Sequence, residues 1–161
     1  MIKENDEHIK WMSLALNQAE KSQDMDEVPV GAIVVLNHSI IGSGYNQPVS
    51  GNDPTSHAEI NAIRSATQNI ENYRMPDASI YVTLEPCAMC YGAIIQARIS
   101  NIFFGAFDKK TGVCGTCADL SESKCFNHKP KITGGILEDE CSKILRDFFK
   151  KRRVIRYTSH H

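Results

Sequence analysis

The sequence predicts a single α/β domain in which helices cover both faces of a mixed sheet. Apolar residues recur at helical spacing in Ile9, Met12, Ala15, Leu16 and Ala19. Runs rich in β-branched and aromatic residues at 28–36, 78–84 and 102–107 read as strands. Helices then alternate with strands after an opening hairpin, the order that builds a layered α/β domain. At 161 residues the chain can form one compact core but hardly two. The domain is expected over 1–156, with 157–161 a polar tail whose His160 and His161 carry no further signal.

Taken in order, the first element is an amphipathic helix over 6–23. Residues 28–36 and 39–45 form the hairpin, turned by Asn37-His38. Asp53-Pro54 is a turn, and Ser56 can cap a helix carrying His57, Ile60, Ile63 and Ala66. A buried strand at 78–84 stops before Pro86, and a helix over 87–99 follows. After the strand at 102–107 comes a long polar stretch, 108–130, with Gly112 and Gly115; long loops in compact domains are often functional. A last strand at 131–133, a break at Gly134-Gly135 and a final helix over 138–153 complete the chain. Lys150, Lys151, Arg152, Arg153 and Arg156 gather on that helix's last turns, where cations also suit the helix dipole.

Composition narrows the function classes. Hydrophobic content of 42% and charged content of 23% are ordinary for a globular domain. A net charge of −1 excludes a protein that coats nucleic acid indiscriminately, though not one with a local basic patch. The start, Met1-Ile2-Lys3-Glu4, is charged and unlike a signal peptide, and the apolar run 28–36 is interrupted by Pro29 and Gly31 and too short to cross a bilayer. The expectation is a cytoplasmic protein with no membrane partner. In that reducing compartment six cysteines point to metal or catalysis before disulfides.

Two stretches carry the chemistry: His57-Ala58-Glu59 and Pro86-Cys87-Ala88-Met89-Cys90. Residues three apart share a helix face, so Cys87 and Cys90 can aim both sulfurs at one point. A helix N-terminus favours thiolate. His57, expected in another first turn, can supply a third ligand. Three protein ligands with an open position for water make a catalytic zinc site rather than a structural one. Glu59 lies two residues from His57, about 200° around a helix, so it is placed to move protons rather than to ligate. Separately, each feature has a plainer reading: Ser56-x-x-Glu59 fits a capping box, a lone histidine is usually a satisfied polar residue, and one Cys-x-x-Cys is a moderate signal. Together they favour catalytic zinc, and His-x-Glu followed by Pro-Cys-x-x-Cys is the signature of the zinc-dependent nucleobase deaminases.

The wider pattern resembles the bacterial tRNA-specific adenosine deaminases of the cytidine/deoxycytidylate deaminase superfamily. The resemblance runs through Val28-Pro29-Val30-Gly31-Ala32, Tyr45-Asn46, residues 53–59, residues 81–87, Gly105-Ala106-Phe107-Asp108, Thr133-Gly134-Gly135 and Asp147-Phe148-Phe149. It implies a cytidine-deaminase-like three-layer α/β/α fold with a mixed sheet of about five strands. It also implies a homodimer and hydrolytic conversion of adenosine to inosine at the wobble position of tRNA, with an arginine tRNA of ACG anticodon the expected substrate. Carried over by position, His57, Cys87 and Cys90 bind one zinc ion per chain and Glu59 is the proton shuttle. Asn46 contacts the flipped nucleoside, and the Ala58 amide contacts the base. Asp108, Phe149, Arg152 and Arg153 reach flanking nucleotides of the anticodon loop. Tyr45, Phe148 and Phe149 offer stacking faces or core packing.

One region departs from that pattern. Cys114, Cys117, Cys125 and His128 have the spacing of a structural Cys3His zinc site. The plainer reading, small apolar-like cysteines and one zinc per chain, is preferred. Two rival functions remain: a deaminase of a free base or nucleoside with the same chemistry, and a non-catalytic zinc-stabilised RNA-binding protein. Val28-Pro29-Val30-Gly31, Asn46 and the basic helix disfavour the first, and Glu59 disfavours the second.

Overall fold

The computed structural model describes residues 4–159. In chain order these form α1 (Glu4–Asp24), β1 (Gly31–Leu36), β2 (Ser39–Tyr45), α2 (Ala58–Ile70), β3 (Ser79–Leu84), α3 (Ala88–Gln96), β4 (Asn101–Ala106), β5 (Lys131–Thr133) and α4 (Glu138–Thr158). The strands make one five-stranded sheet in the order β2-β1-β3-β4-β5. β1 runs antiparallel to both β2 and β3, while β3, β4 and β5 are parallel. The expected mixed three-layer sheet is therefore what forms.

Strand alternation builds the layers. Ala32, Val34, Ile80, Val82, Ile102 and Phe104 point to one face, where Ala62 and Ala66 of α2 and Tyr91 and Ile94 of α3 cover them. Ile33, Val35, Tyr81 and Phe103 point to the other, against Trp11, Met12 and Ala15 of α1 and Cys141 of α4. Ile80 and Ile102 are fully buried, and truncating either to alanine should cost about 2–5 kcal/mol.

The seat of α2 is unusually close. A Cβ on Gly42 would strike the backbone of Ala62 and Ala66, and one on Gly44 the backbone of Ala58 and Ala62. These two residues must lack side chains for α2 to lie directly on β2.

Several boundaries differ from expectation. β1 begins at Gly31 rather than at 28, because Pro29 has no N–H to give a ladder. His57 and Cys87 are the N-cap residues of α2 and α3, not residues inside their first turns, and Ser56 stands one position too early to cap. α4 runs to Thr158, so Tyr157 and Thr158, expected in the tail, are helical. His160 and His161 lie outside the described residues. Among those described, no helix is long and apolar enough to cross a membrane.

Candidate active site and metal centre

The site forms where β3 and β4 end, at the carboxyl edge of the parallel strands, where open α/β sheets bind ligands. α2 and α3 both begin there. Starting two helices at one place brings His57 and Cys87, their N-cap residues, together with Cys90 one turn on. His57 Nδ1 lies 3.6 Å from Cys87 Sγ and 3.5 Å from Cys90 Sγ, and the ligand atoms of all three lie within 4.8 Å of one another. Zinc bound tetrahedrally at about 2.3 Å from sulfur and about 2.0–2.1 Å from nitrogen holds those atoms about 3.6 Å apart. The donor set and its spacing thus fit one zinc ion. Among the described residues this is the one such grouping of three or more His, Cys, Asp or Glu side chains.

The charges answer to the same arrangement. Hydrogen bonding from Cys90, helped by His57, holds the Cys87 thiol down to about 4, while the same contact and burial push Cys90 up. The Cys87 contact raises His57. Glu59 is 4% exposed, and burial pushes its carboxyl up to about 6. A carboxyl there both takes and gives a proton near neutrality.

Glu59, His57 and Cys87 line a cavity of about 310 Å³ shared with Val28, Asn46 and Asp108. Asn46 is nearly buried; its side-chain NH2 donates to Val28 O at 3.3 Å and its backbone carbonyl accepts from Ser22 Oγ at 3.0 Å. Ala58 is fully buried in the first turn of α2, where helix amides lack intrahelical acceptors. Asp108 turns its carboxylate onto its own loop, accepting from the amides of Lys110 at 2.9 Å and Thr111 at 3.1 Å.

A second, basic groove of about 760 Å³ lies beside α4, lined by Lys110, Arg146, Lys150, Arg153 and Arg156 with the half-exposed Phe149. Arg152 lines this groove as well and is tethered at its edge. It donates to Asp26 O at 2.8 Å and stacks over the Phe148 ring at 4.8 Å, which ties α4 to the turn after α1. Of the three aromatic candidates, Phe148 is core. Sequence reading missed Lys110 and Arg146; the latter was findable, since 146, 150 and 153 follow helical spacing.

It also missed two buried glutamates. Glu27 accepts from the amides of Val49 and Ser50, both at 3.1 Å, and fastens the loop after Asn46. Glu85 does the same for the loop after β4. The four residues of the departing region do not converge: Cys117 and Cys125 are exposed, and His128 Nε2 is 2.7 Å from the Ile99 carbonyl.

Comparison with known proteins agrees with this geometry. The MafB19-like deaminase family matches over residues 6–153. A tRNA-specific adenosine deaminase of Haemophilus influenzae is 46% identical over 145 residues, covering 89% of this chain and 84% of that one. The Bacillus subtilis protein of the same name is 38% identical over 143 residues, 89% of each. A solved structure from a study of A-to-I editing by tRNA:A34 deaminases at the wobble position superposes with a TM-score of 0.82 and 40% identity, covering 84% of this chain and 99% of that one. A guanine deaminase from Bacillus subtilis superposes with a TM-score of 0.60 and 33% identity, covering 70% of this chain and 71% of that one.

Proposed function

The chain belongs to the tRNA-specific adenosine deaminases of the MafB19-like deaminase family, and on that premise we propose how its residues divide the work. It deaminates adenosine to inosine at the wobble position of tRNA. The substrate we infer is the arginine tRNA with an ACG anticodon, met in the cytoplasm. The observation that carries the reading is the His57, Cys87 and Cys90 triad closed beside buried Glu59, in a cavity of nucleobase size.

His57, Cys87 and Cys90 hold the metal, whose Lewis acidity when bound brings the pKa of water down to about 7. Glu59 takes a proton from the water that attacks C6 of adenine. It passes that proton to the ring nitrogen, then carries a second from the new hydroxyl to the departing ammonia. Asn46 orients the nucleoside, and the Ala58 amide donates to the base. The adenosine must leave its stack to present C6, which an anticodon loop allows more cheaply than a duplex.

Asp108 marks the cavity rim for a flanking nucleotide. Phe149 and Arg153, with Lys110, Arg146 and Lys150, receive the neighbouring stacking face and phosphates in the basic groove. Arg152 lines the same groove and, through its bond to Asp26, also holds α4 beside it. We infer that the chain acts as a homodimer, as its resemblance to this family implies. Sedimentation of the purified protein tests that pairing.

The deciding experiment incubates zinc-loaded protein with the arginine tRNA, its anticodon stem-loop, free adenosine and free guanine, and reads inosine and ammonia. Inosine at the wobble position is the expected result. Turnover of guanine with no inosine in RNA would move the chain to the free-base deaminases that it also resembles in fold.

A further inference from the structure

Glu85 directly follows β3, two residues before Cys87, is 2% exposed, and has no part in the chemistry above. Its carboxylate is saturated. Oε1 accepts from the Asp108 amide at 3.2 Å and from the Thr116 hydroxyl, and Oε2 accepts from the amides of Cys114 at 3.0 Å and Thr116 at 3.3 Å. With every lone pair engaged, it is poorly placed to act as base or ligand. All the donors belong to one stretch, residues 108–116. Gly112 of that stretch lies so close that a Cβ there would meet the Glu85 carboxyl carbon at 2.5 Å. The loop is wrapped around this one side chain.

What the loop separates gives Glu85 its significance. Asp108 and Thr111 line the nucleobase cavity, whereas Lys110 between them lines the basic groove. Residues 108–111 are further stiffened by the Asp108 carboxylate, which accepts from the Thr111 hydroxyl at 2.8 Å as well as from two amides. They form a ridge between the two depressions. A strand with one base in the cavity and its next phosphate in the groove must cross that ridge.

We propose that Glu85 is a positioning residue for RNA: by gathering the amides of Asp108, Cys114 and Thr116 it sets the height of the 108–111 ridge, and so the fit of the nucleotide beside the flipped adenosine. This rests on the tRNA reading above. Glu85 also forms part of the wall of the nucleobase cavity, but with its carboxylate turned to the loop donors it is neither a metal ligand nor an acid–base group. An amide at this position accepts through one oxygen only and turns its NH2 toward backbone donors, so Glu85→Gln lets the ridge shift without emptying the space.

The test uses the full-length, zinc-loaded protein on an anticodon stem-loop, comparing wild type, Glu85→Gln and Thr116→Val. Zinc per chain, kcat per bound zinc and KM are measured. Glu85→Gln should raise KM on the order of tenfold while kcat per bound zinc stays within about twofold, the split expected when binding geometry alone is lost. Thr116→Val removes one donor at an exposed loop residue and leaves the Glu85 carboxylate its three amide donors; it should raise KM about two- to threefold. Unchanged KM in both variants overturns the proposal. So does loss of zinc, or a fall in kcat per bound zinc at constant KM, either of which would make Glu85 a support for Cys87 instead. A wild type that fails on the stem-loop sinks the tRNA reading itself, whereas an active wild type with unaltered variants sinks only the role of Glu85.

Discussion

Two Cys-x-x-Cys pairs share one spacing in this chain and have different fates. Cys87 and Cys90 bracket the first turn of α3, with the His57 ring 3.6 and 3.5 Å from their sulfurs. Cys114 and Cys117 stand on either side of Gly115, whose φ of 125° turns the chain back, and Cys117 is exposed. Contact with Cys90 holds the Cys87 thiol down to about 4; burial pushes Cys114 up to about 12. Spacing makes a ligand pair only when a helix start aims both sulfurs and a second element brings the remaining donor.

The largest effect should come from breaking the competent pair. Cys87→Ala should lose zinc and deamination together, with a drop in thermal stability, because metal binding is linked to folding. Stoichiometric zinc retained in that variant, measured by elemental analysis, would overturn the three-ligand assignment. Next, Glu59→Gln should keep zinc and fold but lower kcat on the order of 10²–10⁴, which separates ligation from proton transfer within the same site. Near-normal turnover would reduce Glu59 to a buried packing residue.

A smaller effect should follow from changes that touch neither pair. Lys150→Gln combined with Arg153→Gln should weaken binding of the stem-loop and flatten the log–log salt dependence by about 0.7 per lost contact. Zinc content should hold. Binding measured by titration across a salt series checks this, and a slope equal to that of wild type would remove α4 from the RNA interface. The smallest effect is expected at the other pair: Cys114→Ser and Cys117→Ser should each leave one zinc per chain. A parent with two zinc ions, falling to one in either variant, would restore the second site.

The fold was legible because both sheet faces are buried, so strand alternation and helical spacing pointed to the same layers. The metal triad was legible for a related reason: His57, Cys87 and Cys90 stand at helix starts, and helix starts leave marks in sequence. Glu27 and Glu85 were not legible. Their role depends on which way loop amides point, and that follows from tertiary wrapping rather than from any local pattern. Arg152 was legible only in part. Its place in a basic run suggested phosphate, and it does line the basic groove, but its bond to the carbonyl of Asp26, distant in the chain, left no mark in the sequence.

The closeness of α2 to β2 has a bearing on how such a pocket changes over generations. Alanine is the smallest step away from glycine, and at Gly44 its methyl already collides with the backbone of Ala58 and Ala62. No neutral single replacement leads off that position, so the depth at which His57 and Glu59 sit is passed on unaltered. The loops fastened by Glu27 and Glu85 face no such barrier along most of their length. A lineage that drifts toward another base would therefore be expected to remodel the rim of the pocket while its floor stays where it was inherited.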